Sequence, residues 1–229
     1  MSKNIIEVKN LVKIYQDGSE QFRALDDISL NIKEGESVAI IGKSGSGKST
    51  LMHLLAALDK PNEGEIFING NNIAKMKKRE LNKLRNQTFG FVFQQFFMNP
   101  KDTVLQNVIL PLKIAKISPR KRKETAMKAL EAVDLVDKAR NKASNLSGGQ
   151  KQRVCVARAV ANSPKIIFAD EPTGNLDTNT GDKVEELLFG LNKEKGITLI
   201  IVTHDEALAE KCNRQIRLQD GKIISKGEK

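Results

Sequence analysis

Residues 42–49, Gly42-Lys43-Ser44-Gly45-Ser46-Gly47-Lys48-Ser49, match the phosphate-binding pattern G-x-x-x-x-G-K-[ST] at every fixed position, which narrows the fold sharply. The flanks agree with it. Ser37-Val38-Ala39-Ile40-Ile41 is a short apolar run of buried-strand type, and Thr50-Leu51-Met52-His53-Leu54-Leu55-Ala56-Ala57-Leu58 is an apolar helix former. Strand, glycine loop and helix therefore follow one another. Glycines let the backbone turn tightly with its N–H groups inward, and a helix starting near Lys48 adds unpaired donors and the positive end of its dipole. Such a nest attracts polyphosphate. Lys48 would lie against the β- and γ-phosphates, and the Ser49 hydroxyl would hold a Mg2+ ion bridging the same oxygens.

Composition sets the class. The 229 residues, 39% of them hydrophobic, suffice for one large α/β domain or one domain with a modest subdomain. No run approaches the roughly 20 apolar residues that cross a bilayer, and Met1-Ser2-Lys3-Asn4 lacks the apolar stretch of a signal peptide. The expectation is a protein that stays in the cytoplasm. Cys155 and Cys212 lie in apolar helical contexts without metal-ligand spacing, so both are expected to be reduced and buried. The net charge of +10 invites a nucleic-acid or anionic-membrane reading. Yet the basic runs at 75–85 and 113–123 adjoin apolar residues at helical spacing, as solvated helix faces do. With only 4% aromatic residues and none interleaved among the basic ones, base stacking has little support, so no nucleic-acid partner is expected.

Residues 5–15 and 25–32 alternate apolar and polar around a polar turn at Asp17-Gly18-Ser19, predicting two antiparallel strands. Tyr15, the only tyrosine, is either a purine-stacking platform or an ordinary strand-end aromatic. Residues 65–70 and 90–93 read as further strands, the second followed by Gln94, where α/β sheets place ligand groups. Three helical patterns without an intervening strand, at 103–115, 119–133 and 149–161, predict an inserted helical subdomain, with Ser118 and Pro119 opening the middle one. Ser147, Gly148, Gly149 and Gln150 stand at a helix start, either as a second anion site or as a plain cap. Residues 166–171 form an apolar strand ending in Asp170 and Glu171. Strand alternation sends these carboxylates opposite ways, Asp170 to hydrated Mg2+ and Glu171 to an attacking water. After the final buried strand at 198–203, His204 can reach a γ-phosphate, or is a bystander to a helix capped by Asp205. Asp220-Gly221 marks a closing hairpin.

Together these stretches closely resemble the nucleotide-binding subunit of ATP-binding cassette (ABC) transporters over essentially the whole chain. Residues 42–49 match its Walker A loop, Gln94 the Q-loop, Leu146-Ser147-Gly148-Gly149-Gln150 the signature, 166–170 Walker B, Asn175-Leu176-Asp177 the D-loop and His204 the switch histidine. The resemblance implies a P-loop NTPase (RecA-like) α/β core with an N-terminal antiparallel β subdomain and an inserted helical subdomain. One ABC ATPase domain would span 1–229, with 1–94 and 162–229 as core and 95–161 as the helical part. It further implies ATP and Mg2+ as cofactors. Nucleotide contacts would come from Tyr15, Gly42 through Thr50 (Gly42, Lys43, Ser44, Gly45, Ser46, Gly47, Lys48, Ser49, Thr50), Ser147, Gly148, Gly149, Gln150 and Asp177. Ser49, Gln94 and Asp170 would hold the metal, with Glu171 as catalytic base beside His204 and Gln94.

In this family two cassettes pair head to tail, each signature closing on the other's Walker A, which accounts for two anion sites in one chain. The implied partners are a second copy and an integral membrane permease, at the cytoplasmic face of the cell membrane. Residues 171–177 look like the branch serving lipoprotein release and macrolide or antimicrobial-peptide export, whereas 97–102 depart from that branch's leucine-rich pattern. The alternative is a soluble ABC-type ATPase acting on ribosome or nucleic acid, but such proteins resemble tandem cassettes or carry coiled-coil insertions, and this chain has neither.

Overall fold

A computed structural model describes residues 3–18 and 20–228; Ser19 of the expected turn and the Met1-Ser2 start lie outside the described residues. In chain order the elements are β1 (Asn4–Asp17), β2 (Glu20–Lys33), β3 (Ser37–Ile41), α1 (Lys48–Leu55), β4 (Glu63–Ile68), β5 (Asn71–Asn72) and α2 (Lys78–Thr88). Then come β6 (Phe89–Phe93), α3 (Val104–Ile114), α4 (Pro119–Glu131), α5 (Gly148–Val160), β7 (Ile166–Asp170) and α6 (Thr178–Lys195). The chain closes with β8 (Thr198–Val202), α7 (Glu206–Glu210), β9 (Arg214–Gln219) and β10 (Lys222–Glu228).

The chain forms two compact units, one of Met1–Arg85 with Thr198–Lys229 and one of Asn86–Ile197. In the first, β2, β1, β4 and β5 make an antiparallel sheet. Its alternating pattern buries Ile6, Val8, Leu25, Leu30, Ile32, Ile66 and Ile68. The expected strands 5–15 and 25–32 are there, lengthened until Asp17 pairs with Glu20. A second set of strands places β3 between β8 and β9, parallel to both, and β10 folds back antiparallel on β9 across Asp220-Gly221. Every residue of β3 and β8 is buried, which is why both read as continuous apolar runs.

The second unit pairs β6 and β7 in parallel, with Phe93 opposite Asp170. Phe89 and Phe91 on β6 meet Phe168 on β7 at centroid distances of 5.3 and 5.8 Å, supplying much of the unit's aromatic content. Val104, Val108 and Leu112 repeat every fourth residue along α3 and are fully buried; Ala126 and Leu130 do the same on α4. Helix α4 starts at Pro119 after Ser118, as the sequence predicts. The unit boundary falls inside α2, between Arg85 and Asn86, so β6 and Gln94 lie in the second unit. Among the described residues no helix is long and apolar enough to cross a membrane.

Candidate functional site

In the first unit the phosphate loop leaves the carboxyl end of β3 and enters α1 through Gly47. That residue is at φ +100°, a conformation glycine adopts without strain, and a Cβ there would lie 2.6 Å from the Ala24 carbonyl. The loop is thus pressed against its own chain on the inner side, while Lys43, Ser44, Gly45 and Ser49 are exposed. The Ser46 N–H donates to the Lys43 carbonyl at 3.2 Å, and Gly221 of the β9–β10 turn donates to the Ser46 carbonyl at 3.2 Å.

Helices α3, α5, α6 and α7 are capped by side chains of Thr103, Ser147, Asp177 and Asp205, but no side chain caps α1. Its first-turn N–H groups therefore stay available to a ligand. Lys48 folds back so that Nζ donates to the carbonyls of Gly42 and Lys43, at 2.8 and 2.9 Å, keeping the ammonium across the loop. Ser46 is 5% exposed and its Oγ has no partner among the described residues. An uncapped helix start, a held ammonium and an orphan hydroxyl are the fittings of a phosphate site. Thr50 is half-buried on the first turn.

His204 is exposed, two residues beyond the end of β8, whose Val202 pairs with Ile40 of β3. It therefore leaves the sheet at the same end as the phosphate loop. Asp205 caps α7 through the N–H groups of Ala207 and Leu208.

In the second unit Asp170 closes β7 half-buried, but Glu171 does not continue the strand: its φ is +45°. The strand-alternation argument thus reaches Asp170 only. Glu171 is aimed by a left-handed residue, an uncommon and strained conformation of the kind found at functional sites. The turn closes when the Gly174 N–H donates to the Glu171 carbonyl at 3.2 Å. Gln94, next after β6, is clasped by Asn175: Asn175 Nδ2 donates to the Gln94 carbonyl at 3.0 Å and Gln94 Nε2 to Asn175 Oδ1 at 3.3 Å. The segments from the ends of β6 and β7 are tied to each other.

Ser147 and Gln150 form a complete capping box at α5: Ser147 Oγ accepts from the Gln150 N–H at 3.3 Å, and Gln150 Oε1 accepts from the Ser147 N–H at 3.0 Å. The cap is present, and it leaves the exposed Ser147 hydroxyl proton free for an outside acceptor. Gly149 differs from the exposed Gly148 before it. It is buried, and a Cβ there would come 2.0 Å from Thr180 Cγ2 on α6, so its side is taken up by packing within the unit. Asp177 caps α6, accepting from the Thr180 N–H at 3.1 Å. Hydrogen bonds from the Thr180 side chain and backbone hold the Asp177 carboxyl below its usual range.

One positioning residue escaped the sequence reading. Gln152, buried on α5, donates through Nε2 to the carbonyls of Phe93 and Pro172, at 3.2 and 2.6 Å, joining the signature helix to the ends of both strands. A glutamine inside a helix carries no local signal of such a role.

Residues 25–174 match the family model of the ABC transporter. The chain is 46% identical, over 97% of its own length and 98% of the other, to the bacterial ABC transporter cassette MJ0796 in its dimeric structure, with a TM-score of 0.89. A dimeric post-hydrolysis state of that cassette, bound to ADP and Pi, matches at 45% identity and TM-score 0.89, over 97% of this chain and 98% of that one. The cassette cbiO1 from Clostridium perfringens, part of the ABC transporter complex cbiONQ, matches at 31% identity and TM-score 0.88, over 98% of this chain and 88% of that one. Both cysteines are buried thiols outside any disulfide, Cys155 on α5 as the sequence predicts, whereas Cys212 lies past the end of α7 rather than in a helix. The chain belongs to the ABC transporter family and is an ATP-hydrolysing cassette of it.

Proposed function

We propose that the protein is the ATPase subunit of a membrane transporter, binding MgATP at a head-to-tail dimer interface and driving a separate permease at the cytoplasmic face of the membrane. The whole of 1–229 then acts as one ABC ATPase domain, with 95–161 as its helical subdomain and 95–108 as the surface that meets the permease. The cargo belongs to the lipoprotein, peptide or drug export group, on the pattern of residues 171–177. What carries the reading is the contrast between two helix starts: α1 is uncapped beneath a phosphate loop, while α5 presents a capped, exposed Ser147-Gly148. The two dimeric MJ0796 structures and the cbiONQ membership of cbiO1 support pairing and a multi-subunit complex.

Each residue has a part. Lys48 and the N–H groups of residues 43–50 bind the β- and γ-phosphates, with Gly42, Gly45 and Gly47 shaping the loop, and Tyr15 stacks on adenine. Ser147, Gly148, Gly149 and Gln150 of one copy face the γ-phosphate held by the other, with Asp177 at the same interface. Ser49, Gln94 and Asp170 offer oxygen donors only, the set that suits a hard cation keeping several waters, so they fit Mg2+. When bound, the ion neutralises charge on the phosphate oxygens. Glu171 holds and polarises the attacking water, and His204 donates to the γ-phosphate.

Light scattering of Glu171→Gln with and without millimolar ATP tests this reading. The amide keeps the shape but cannot take a proton, so the variant should bind ATP, lose turnover by about 100-fold or more, and double in mass. Ser147→Arg in the same background should abolish the doubling. Unchanged mass with ATP, or a dimer indifferent to Ser147→Arg, excludes the shared site.

A further inference from the structure

Tyr15 lies near the end of β1, 39% exposed. Its hydroxyl donates to Asp59 Oδ2 at 3.0 Å, and the Thr50 side chain on the first turn of α1 is near enough to act on its ionisation. The ring thereby stands beside the phosphate loop. Lys13 completes the arrangement: Nζ lies 4.8 Å from the Tyr15 ring centroid, 2.9 Å from Asp59 Oδ2 and 2.8 Å from the Lys60 carbonyl.

Lys13 is only 9% exposed, a costly place for an ammonium unless its donors are used, and here carboxylate, carbonyl and ring use them. Burial raises the Asp59 carboxyl, but hydrogen bonds from Lys13, the Lys60 N–H and Tyr15 outweigh it and bring it below its usual range. Burial also raises the phenol, so Tyr15 stays a donor to that carboxylate. Backbone links fasten the same segment to β1, with the Asn62 N–H on the Val12 carbonyl at 2.9 Å and the Ile14 N–H on Asn62 Oδ1 at 2.8 Å. So much fixing of a partly exposed ring is more than strand stability requires.

We propose that Lys13 and Asp59 are positioning residues for the nucleotide base, holding the Tyr15 ring against Thr50 with the Lys13 cation on one face and the base stacked on the other. The proposal rests on Tyr15 being the base platform. A cation over one face draws electron density from the ring and favours an electron-rich purine on the opposite face. Fixing the ring before the ligand arrives also removes the ordering cost of stacking.

The test compares dissociation constants of ATP and inorganic tripolyphosphate, which has no base, by calorimetry on the full chain. Tyr15→Ala should weaken ATP by about 10-fold and leave tripolyphosphate within about 2-fold. Lys13→Met and Asp59→Asn should each weaken ATP by about 3- to 10-fold, again sparing tripolyphosphate, and Lys13→Arg should recover most of the loss. The chain has one tyrosine and no tryptophan, so its intrinsic emission reports this ring alone; removing the carboxylate acceptor in Asp59→Asn should brighten it. If Tyr15→Ala discriminates while Lys13→Met and Asp59→Asn bind ATP normally, the clamp is structural and the proposal fails alone. If Tyr15→Ala leaves ATP binding unchanged, the base-platform reading fails and takes the proposal with it. Parallel weakening of tripolyphosphate in the Lys13 and Asp59 variants would place their effect in α1 and also overturn it.

Discussion

Arg158 donates from Nη1 to the carbonyl of Phe97 at 2.7 Å and so pins a residue whose φ is +42°, in the left-handed region that a bulky side chain rarely occupies. Its Nη2 holds the Phe96 carbonyl at 2.9 Å, and Cys155 Sγ approaches the same oxygen at 3.1 Å. The segment just after Gln94 is therefore tied by its backbone to α5, while the Phe97 ring points outward at 66% exposure. Arg158→Met keeps the stem and removes the donors, leaving two carbonyls without a charged partner. We expect a loss of about 2 kcal/mol in urea unfolding. Phe97→Gly relieves the backbone and should change stability by less than about 1 kcal/mol.

The close approach of Gly149 to Thr180 gives a sharper prediction. A Cβ at 149 would sit 2.0 Å from Thr180 Cγ2, so Gly149→Ala must push α5 from α6, at a cost of about 1–3 kcal/mol. Thr180→Ser removes the offending methyl and keeps the hydroxyl that bonds Asp177. Gly149→Ala with Thr180→Ser should unfold near wild type in the same denaturant titration, a non-additivity that neither substitution shows alone.

Much of this was legible because it is local in sequence. The phosphate loop, the Ser147–Gln150 capping box and the Asp220-Gly221 turn each complete their chemistry within a few residues, so spacing alone implies geometry. The ties that aim the site are not local. Asn175 clasps Gln94 from 81 positions away, and the donors of Gln152 and Arg158 find carbonyls about 60 positions upstream. Polar residues inside a helix look the same whether they face water or strand ends. Glu171 was misplaced on its strand because an apolar run shows where burial ends, not the φ of the residue that follows. Lys13 read as the polar side of an alternating strand, yet it is nearly buried, since its partners Asp59 and Lys60 come from a loop the pattern does not connect to it.

The thiol of Cys155 gives a pH dependence. Burial pushes it up to about 11, with Arg158 opposing weakly. A thiol with a raised folded-state pKa keeps its proton longer in the native than in the unfolded chain, so its contribution is complete below about pH 9 and is lost as pH rises toward about 11. The rise from 9.0 to about 11 corresponds to about 3 kcal/mol. Stability measured from pH 8 to 10.5 should fall less steeply in Cys155→Ala than in the wild type, from a lower starting value. Equal slopes would show that other groups carry the alkaline loss. Iodoacetamide at pH 8 should label neither Cys155 nor Cys212 until the protein is unfolded.

Lys48 gives the last prediction, because its ammonium has protein partners even without a ligand. Its two donors on the Gly42 and Lys43 carbonyls stabilise the loop, and a polyphosphate must compete for the same ammonium. Lys48→Met retains the stem but neither the charge nor the donors, and two effects of different size should follow. Without nucleotide the variant should lose about 1–2 kcal/mol, since Gly42 is half-buried and Lys43 exposed and water replaces part of the interaction. With nucleotide the difference should widen. ATP at about 100 times its dissociation constant stabilises a native protein by about 2.7 kcal/mol, and a variant that no longer binds gains none of it. Thermal unfolding of both proteins across an ATP titration separates the two effects. A melting temperature that rises with ATP equally in wild type and Lys48→Met would remove Lys48 from phosphate binding, and identical melting without ATP would show that its two hydrogen bonds contribute nothing to the loop.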